Sequence, residues 1–214
     1  MSSARTDPLP AGRELAAAAE WRLIALLFSR PRPGWREEIG ALALEVRDPG
    51  LRAAAGATRD AREGTYLRLM GPGGSVSPRE VTYRPLEDPG WILADIARHY
   101  EAFAFRPCAE DPLDHIACET DFVAYLLFKE AFARARDDAE AARITADART
   151  QFLARHVATI AGPFAERLAG AGPAYLVETA RLLAARVPAP PRPPAGLAAR
   201  PESPQSSEGR GFCT

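Results

Sequence analysis

The chain has 214 residues, with 27 lysines and arginines against 28 aspartates and glutamates and a formal net charge of -1. This length is typical of one domain with a tail. The even balance of charge argues against nucleic-acid binding, which usually requires a basic excess. No run approaches the roughly 18 apolar residues that cross a membrane, and the N-terminus has no secretory signal. We therefore expect a cytoplasmic protein without membrane insertion.

Alanine, leucine, arginine and glutamate are abundant, and all four favour helix, while no run alternates in the strand period. These features predict an all-α fold, a single-domain helical bundle. Asp88 and Asp111 each precede a proline, and each pair gives a helix-start signal with an N-cap aspartate. The second helix would carry Asp114 in its first turn. In chain order, the predicted helices cover 12–29, 35–46, 51–70, 89–103, 112–135 and 138–158. The helix at 51–70 has weak points at Gly56 and Gly64. Two short helices follow, separated by breaks at Gly162-Pro163 and Gly172-Pro173.

The composition changes after the last predicted helix, which ends near Val187. Seven of the chain's 20 prolines lie in 188–214, together with serines and glycines. Such a segment cannot bury enough apolar surface to offset its ordering entropy. We therefore expect a flexible segment at 1–11, an all-helical domain at 12–187 and a disordered tail at 188–214.

The helix predicted after Pro112 carries a histidine and a carboxylate on one side. His115 and Glu119 are four residues apart, and Glu119 falls inside the stripe formed by Val123 and Leu126. A carboxylate in an apolar stripe is costly to bury unless it is paired or hydrogen-bonded. This position therefore indicates either a site or a structural polar cluster.

Three interpretations of His115 and Glu119 remain open at this point. The pair could bind one metal ion, although no second Glu-x-x-His element accompanies it. The pair could act as acid and base in an enzyme, although no nucleophile elbow, P-loop or glycine-rich phosphate loop is present. The pair could also belong to a polar network that locks a helix start and shapes a binding groove.

Three segments carry a family resemblance. Residues 110–122, Glu-Asp-Pro-Leu-Asp-His-Ile-Ala-Cys-Glu-Thr-Asp-Phe, resemble the signature of the TorD/DmsD/NarJ-like chaperones of molybdoenzymes, an acidic-Pro-x-Asp-His start followed by Glu-x-x-Phe. Residues 66–73 are similar to the family's Tyr-x-x-Leu-Phe-x-Gly-Pro element, and 77–83 to its Pro-x-Glu-Ser-x-Tyr loop. Weaker similarity continues through Phe152, His156 and Phe164, with Ile160 in the place of a tryptophan.

The resemblance implies an all-α cytoplasmic chaperone that is not an enzyme and needs no cofactor or metal. Its partner would be the apo catalytic subunit of a molybdopterin-dependent oxidoreductase, or the twin-arginine leader peptide of that subunit. Binding would assist cofactor insertion and prevent premature export. A homodimer formed by exchange about 71–77 stays open beside a monomer. Carried over by position, the client-binding groove would consist of Tyr66, Leu69, Met70, Ser77, Pro78, Glu80, Tyr83, Asp114 and His115, supported by Asp111, Glu119 and Phe122.

The chain departs from the family pattern in the loop that precedes Glu80. Many members have tryptophan where this chain has Arg79, and residues 71–77 are rich in glycine. A twin-arginine leader combines two positive charges with an apolar stretch, so its host needs acidic residues beside an apolar surface. We expect the local negative charge to come from Glu80, Glu87, Asp88, Glu110, Asp111 and Asp114.

Overall fold

Helices α1 (Pro10–Phe28) and α6 (Ile116–Ala135) form the most extensive contact in the fold. They belong to a computed structural model that describes residues 10–107 and 111–188. Residues 23–28 of α1 are all buried, so this part of the helix has protein on every side. Burial of so many apolar side chains, at about 25 cal/mol per Å², is the main stabilising term.

The other elements pack around this pair. Helix α7 contacts α6, and α9 contacts both α3 and α8. The further elements, in chain order, are α2 (Trp35–Glu45), α3 (Pro49–Gly56), a 3₁₀ turn (Ala57–Asp60), α4 (Glu63–Met70), a second 3₁₀ turn (Glu80–Tyr83), α5 (Pro89–Ala102), α7 (Ala139–Phe152), a π-helical turn (Leu153–Val157), α8 (Ala158–Ala169) and α9 (Ala174–Arg186).

The predicted all-α fold is confirmed over the described residues, and several predicted boundaries agree with the structure. The Asp88 carboxylate accepts hydrogen bonds from the backbone N–H groups of Gly90 and Trp91, as expected of an N-cap. The predicted helix at 51–70 is interrupted after Gly56 as expected. The second break, however, precedes Glu63, and Gly64 lies inside α4.

The prediction that Asp111 caps the following helix is wrong. Helix α6 begins at Ile116, and its N-cap is His115, which has an extended backbone. The Nδ1 atom of His115 accepts the backbone N–H of Ala117 over 3.1 Å. Asp114 lies before the helix because its carboxylate and carbonyl bond to the loop around Arg79.

The predicted break at Gly162-Pro163 is also wrong. Pro163 lies inside α8, which continues from α7 through the π-helical turn. Ile160, Ala161 and Phe164 around this pair are fully buried. Their packing outweighs the hydrogen bond that proline cannot make. The break at Gly172-Pro173 and the helix end beside Val187 are as predicted.

No helix in the described part of the chain is long and apolar enough to cross a membrane. The predicted tail lies outside the described residues from position 189 onward, and so does most of the predicted N-terminal segment. The three-part division of the chain therefore stays a prediction.

Candidate functional site

Two loops meet at the start of α6, and backbone hydrogen bonds join them. The N–H of Glu80 donates to the carbonyl of Asp114, and the N–H of Ile116 donates to the carbonyl of Pro78, each over 2.9 Å. These bonds form an isolated antiparallel bridge between Arg79 and His115. The two segments that carry the family resemblance are therefore in direct contact.

His115 connects this junction to α1 through a chain of hydrogen bonds. Its Nδ1 accepts from Ala117, so in the neutral ring the proton is on Nε2. Nε2 lies 3.3 Å from the hydroxyl of Tyr66, which donates to the carbonyl of Phe28 over 3.0 Å. Burial lowers the pKa of His115, which favours the neutral ring that this arrangement requires.

A cleft of about 630 Å³ opens beside the junction. Helix α1 forms one wall, α4 and the following loop form another, and the start of α6 completes it. Its apolar and small lining residues are Ala25, Leu26, Leu67, Met70, Gly71, Pro72, Gly73, Gly74, Pro78, Pro112 and Ala117. Its polar lining residues are Arg22, Ser29, Arg30, Arg32, Tyr66, Ser77, Arg79, Thr82, Asp111, His115, Cys118 and Asp121.

Only some of the predicted groove residues line this cleft. Those that do are Tyr66, Met70, Ser77, Pro78 and His115, together with Asp111 from the predicted supporting set. Those that do not are Leu69, Glu80, Tyr83 and Asp114. Leu69, Glu80 and Asp114 are buried, while Tyr83 turns away and packs against Phe164 and Arg167.

The charge at the cleft differs from the expected acidic surface. Four arginines and two aspartates line it. Asp114 is bound by Arg79, and Asp121 lies 2.5 Å from Arg22. Glu80 and Glu87 pair with Arg84, while Asp88 caps α5, and Glu110 lies outside the described residues. Most of these acidic residues therefore form ion pairs or a helix cap within the protein. Asp111 is the cleft carboxylate with no ion pair among the described residues.

Glu119 faces another carboxylate instead of His115. The side chain is fully buried, and burial followed by the nearby charge of Glu80 raises its pKa well above the usual value. Neither of its oxygens has a hydrogen-bond partner among the described residues. A protonated Glu119 can donate to Glu80. Because both ring nitrogens of His115 are engaged elsewhere, the geometry favours the polar-network interpretation over a His115–Glu119 pair.

Phe122 supports this region from inside the core. It is fully buried and lies 4.8 Å from the rings of both Tyr100 and Phe152. Behind Glu80, the network continues to His156, whose Nδ1 is 2.9 Å from a Glu80 oxygen. His156 and Phe122 thus hold the second 3₁₀ turn and α6 against α5 and α7.

Sequence reasoning missed the wall of the cleft that α1 provides. Arg22, Leu26 and Ser29 lie in or just after a helix that reads from sequence as an ordinary core helix. The signal that could have indicated them is the run Arg30-Pro31-Arg32, which ends α1 beside the start of α4. Helix packing that brings α1 against α6 is not readable from local patterns.

A comparison with known protein families shows which family the chain belongs to. The model of the family described as nitrate reductase delta subunit matches residues 32–166, more than half of the chain. The chain belongs to the nitrate reductase delta subunit family. This family consists of maturation chaperones of molybdoenzymes, which agrees with the predicted resemblance. No curated protein and no solved structure matches the chain. The two loops that meet at the start of α6 lie inside the matched segment. The wall of the cleft that α1 forms precedes this segment.

Proposed function

We propose that this delta-subunit family member is a cytoplasmic chaperone that binds the twin-arginine leader or the apo form of a molybdoenzyme catalytic subunit. The cleft between α1, α4 and the start of α6 would be its binding site. The observation that carries the proposal is the position of this cleft, which lies where the two family segments meet. Binding there would hold the client until its cofactor is inserted and would delay export.

The cleft has the chemistry for an extended peptide. Leu26, Met70 and Pro78 offer apolar surface for the apolar part of a leader. Methionine adapts to varied side chains at such surfaces. Asp111 is placed to attract an arginine of the twin pair, and Arg22 and Arg32 suit acidic or carbonyl groups elsewhere in the client. A mixed lining of this kind fits a segment of unlike residues better than a small anion.

Family membership also supports the absence of catalysis in this proposal, since delta-subunit members act as chaperones. The alternative, a metal-dependent enzyme using His115 and Glu119, loses support because the two side chains have separate partners. In a metal assay of the purified protein, we expect His115→Ala to leave metal content unchanged. A stoichiometric metal lost with that substitution would favour the alternative.

The test of the proposal is a titration of the full chain with a fluorescent twin-arginine leader peptide from a molybdoenzyme catalytic subunit of the same organism. Asp111→Asn should weaken binding about fivefold, which corresponds to about 1 kcal/mol, the upper range for an exposed ion pair. The matched control is Asp147→Asn, the same change in an exposed residue of α7. Equal affinity in both variants would argue against this placement of the leader.

A further inference from the structure

Three metal-ligating side chains meet on the far side of Glu80 from the cleft. Asp95 and His99 lie one turn apart on α5, and His156 lies on the π-helical turn. One ligand atom from each residue lies within 4.8 Å of the others. His156 is fully buried, Asp95 is almost so, and the side chain of His99 is 15% exposed. His99 and His156 lie on separate elements, so the cluster arises from the fold.

In a neutral ring, the hydrogen bond that each histidine makes through Nδ1 leaves Nε2 without a proton. Nδ1 of His156 donates to a Glu80 carboxylate oxygen over 2.9 Å, and Nδ1 of His99 donates to the backbone carbonyl of Asp95 over 2.8 Å. A neutral imidazole that donates from Nδ1 has its lone pair on Nε2. Histidines that bind metals show this same pattern, with the other ring nitrogen held by a carboxylate or a carbonyl.

Nε2 of His156 is buried at the centre of the cluster without a hydrogen-bond partner in the described part of the chain. Nε2 of His156 lies 3.3 Å from Oδ2 of Asp95, yet neither atom makes a hydrogen bond within the described structure. A lone pair that faces a carboxylate oxygen is repelled, and a buried polar atom without a partner is costly. A metal ion between the two atoms would give Nε2 of His156 a partner and would take the place of Arg155 at Oδ2 of Asp95.

We propose that Asp95, His99 and His156 bind a divalent transition-metal ion, with Zn²⁺ as the best match. Two imidazoles and one carboxylate are a ligand set that Zn²⁺ favours, at about 2.0–2.2 Å from each donor atom. Donor atoms around a tetrahedral ion are then roughly 3.4 Å apart, so the cluster needs only small side-chain movements. Three protein ligands leave a fourth position for water.

The π-helical turn gives independent support. Such turns are rare and occur frequently at functional sites. Here the turn contains His156, and it lies between α7 and α8, which otherwise continue one into the other. A bound ion would join α5 to this turn, and Glu80 would orient His156 from outside the ligand set.

Two arginines form ion pairs with the carboxylate of Asp95, which the metal ion would also use. Arg155 Nε lies 2.6 Å from Oδ2 of Asp95, and Arg98 contacts Oδ1. The side chains of Arg155 and Arg98 are 60% and 71% exposed, so both can move into solvent without loss of core packing. The ion must displace Arg155 from Oδ2, and removal of Arg155 should therefore strengthen metal binding.

The experiment is calorimetric titration of the full, metal-free chain with Zn²⁺, repeated with Co²⁺ for its visible spectrum. We expect one ion per chain and a Co²⁺ spectrum without the charge-transfer band of a thiolate ligand. His99→Ala should lower Zn²⁺ affinity by more than tenfold, because even outer partners of metal ligands contribute about 10–100-fold. Arg155→Gln should raise the affinity, and the control Glu140→Gln, in an exposed ion pair of α7, should leave it unchanged.

Circular dichroism of each variant checks that the helices remain, and His99 is chosen because it is the least buried of the three ligands. Three results would overturn the proposal. These are no Zn²⁺ binding by the parent chain, Zn²⁺ binding that His99→Ala leaves intact, and Zn²⁺ binding that Arg155→Gln weakens. Loss of Zn²⁺ in His115→Ala with retention in His99→Ala would likewise move the ion to the other histidine.

Discussion

Arg79 donates from Nε to Oδ1 of the fully buried Asp114 over 2.9 Å, and its Nη2 lies 2.9 Å from the same oxygen in an ion pair. The other oxygen of Asp114 accepts the backbone N–H of Val81 over 3.3 Å. Arg79 stands where many relatives were expected to have tryptophan. In this chain an ion pair therefore takes the place of an apolar anchor and ties the loop before Glu80 to the start of α6.

Arg79→Ala should lower the free energy of unfolding by about 2 kcal/mol. Breaking a buried ion pair costs about 3–5 kcal/mol, and the cost is smaller here because Arg79 is itself 39% exposed and water can reach the site. Urea denaturation followed by circular dichroism measures the change. Arg143→Ala, which removes surface pairs with Glu140 and Asp147, is the control and should leave the free energy of unfolding nearly unchanged. Equal losses in the two variants would contradict the structural role of Arg79.

His115→Ala should destabilise the protein by about 1 kcal/mol through loss of the N-cap of α6. His115→Asn should retain most of the stability, because asparagine is itself a good N-cap residue. Burial lowers the pKa of His115, so the unfolded chain binds more protons than the folded chain below about pH 6.5. The parent should therefore lose stability as the pH falls through this range, and His115→Asn should lose less. Thermal unfolding between about pH 5 and about pH 7 tests this, and parallel curves for the parent and His115→Asn would contradict it.

Glu119→Gln should stabilise the protein at neutral and alkaline pH. The raised pKa of Glu119 means that the folded chain holds a proton which the unfolded chain releases above about pH 4.5. Stability therefore falls as the pH rises through the interval between the two pKa values. Glutamine resembles the protonated acid and can donate to Glu80 without this penalty. Urea denaturation at about pH 5 and about pH 8 should show a larger gain at the higher pH. A gain that is the same at both values, or a loss at about pH 8, would contradict the account.

Two glycines should respond to alanine in opposite directions. A Cβ at Gly162, inside α8, would meet nothing within 4 Å, so Gly162→Ala should stabilise the protein by about 0.5–1 kcal/mol. A Cβ at Gly74 would overlap the carbonyl oxygen of Leu69, so Gly74→Ala must displace the backbone of the cleft loop and should destabilise the protein. Thermal unfolding of the two variants gives the comparison. Stabilisation by Gly74→Ala would mean that the cleft loop tolerates a different backbone path, and destabilisation by Gly162→Ala would contradict the open space beside that residue.

The sequence was sufficient for the fold class because helix-forming composition, apolar spacing and the Asp88-Pro89 start are local properties. The same helix-start signal at Asp111-Pro112 led to a wrong prediction. Hydrogen bonds from a loop about 35 positions away in sequence hold this segment outside the helix. A histidine N-cap is uncommon, so His115 gave no local sign of its role. At Pro163 the sequence predicted a helix break, but the helix continues because the packing of the neighbouring residues outweighs the local effect of proline.

Part of the lining of the cleft was predictable from the family segments, while the binding role of these residues stays a prediction. Tyr66, Met70, Ser77, Pro78 and His115 were named from motifs, and all five line the cleft. The buried positions of Glu80 and Asp114 could not be anticipated, because their partners come from distant elements. The cluster of Asp95, His99 and His156 likewise depends on how α5 meets the π-helical turn, which no local pattern encodes.

The central claim is that the cleft binds a molybdoenzyme client, and a direct titration tests it most closely. The full chain would be titrated with the apo catalytic subunit of a molybdoenzyme from the same organism, with and without its twin-arginine leader. We expect binding of the leader peptide or of the apo subunit, weaker binding for Asp111→Asn, and parent-like binding for Asp147→Asn. No detectable binding of either form, or binding that a leader and a scrambled peptide share equally while the apo subunit fails to bind, would contradict the account.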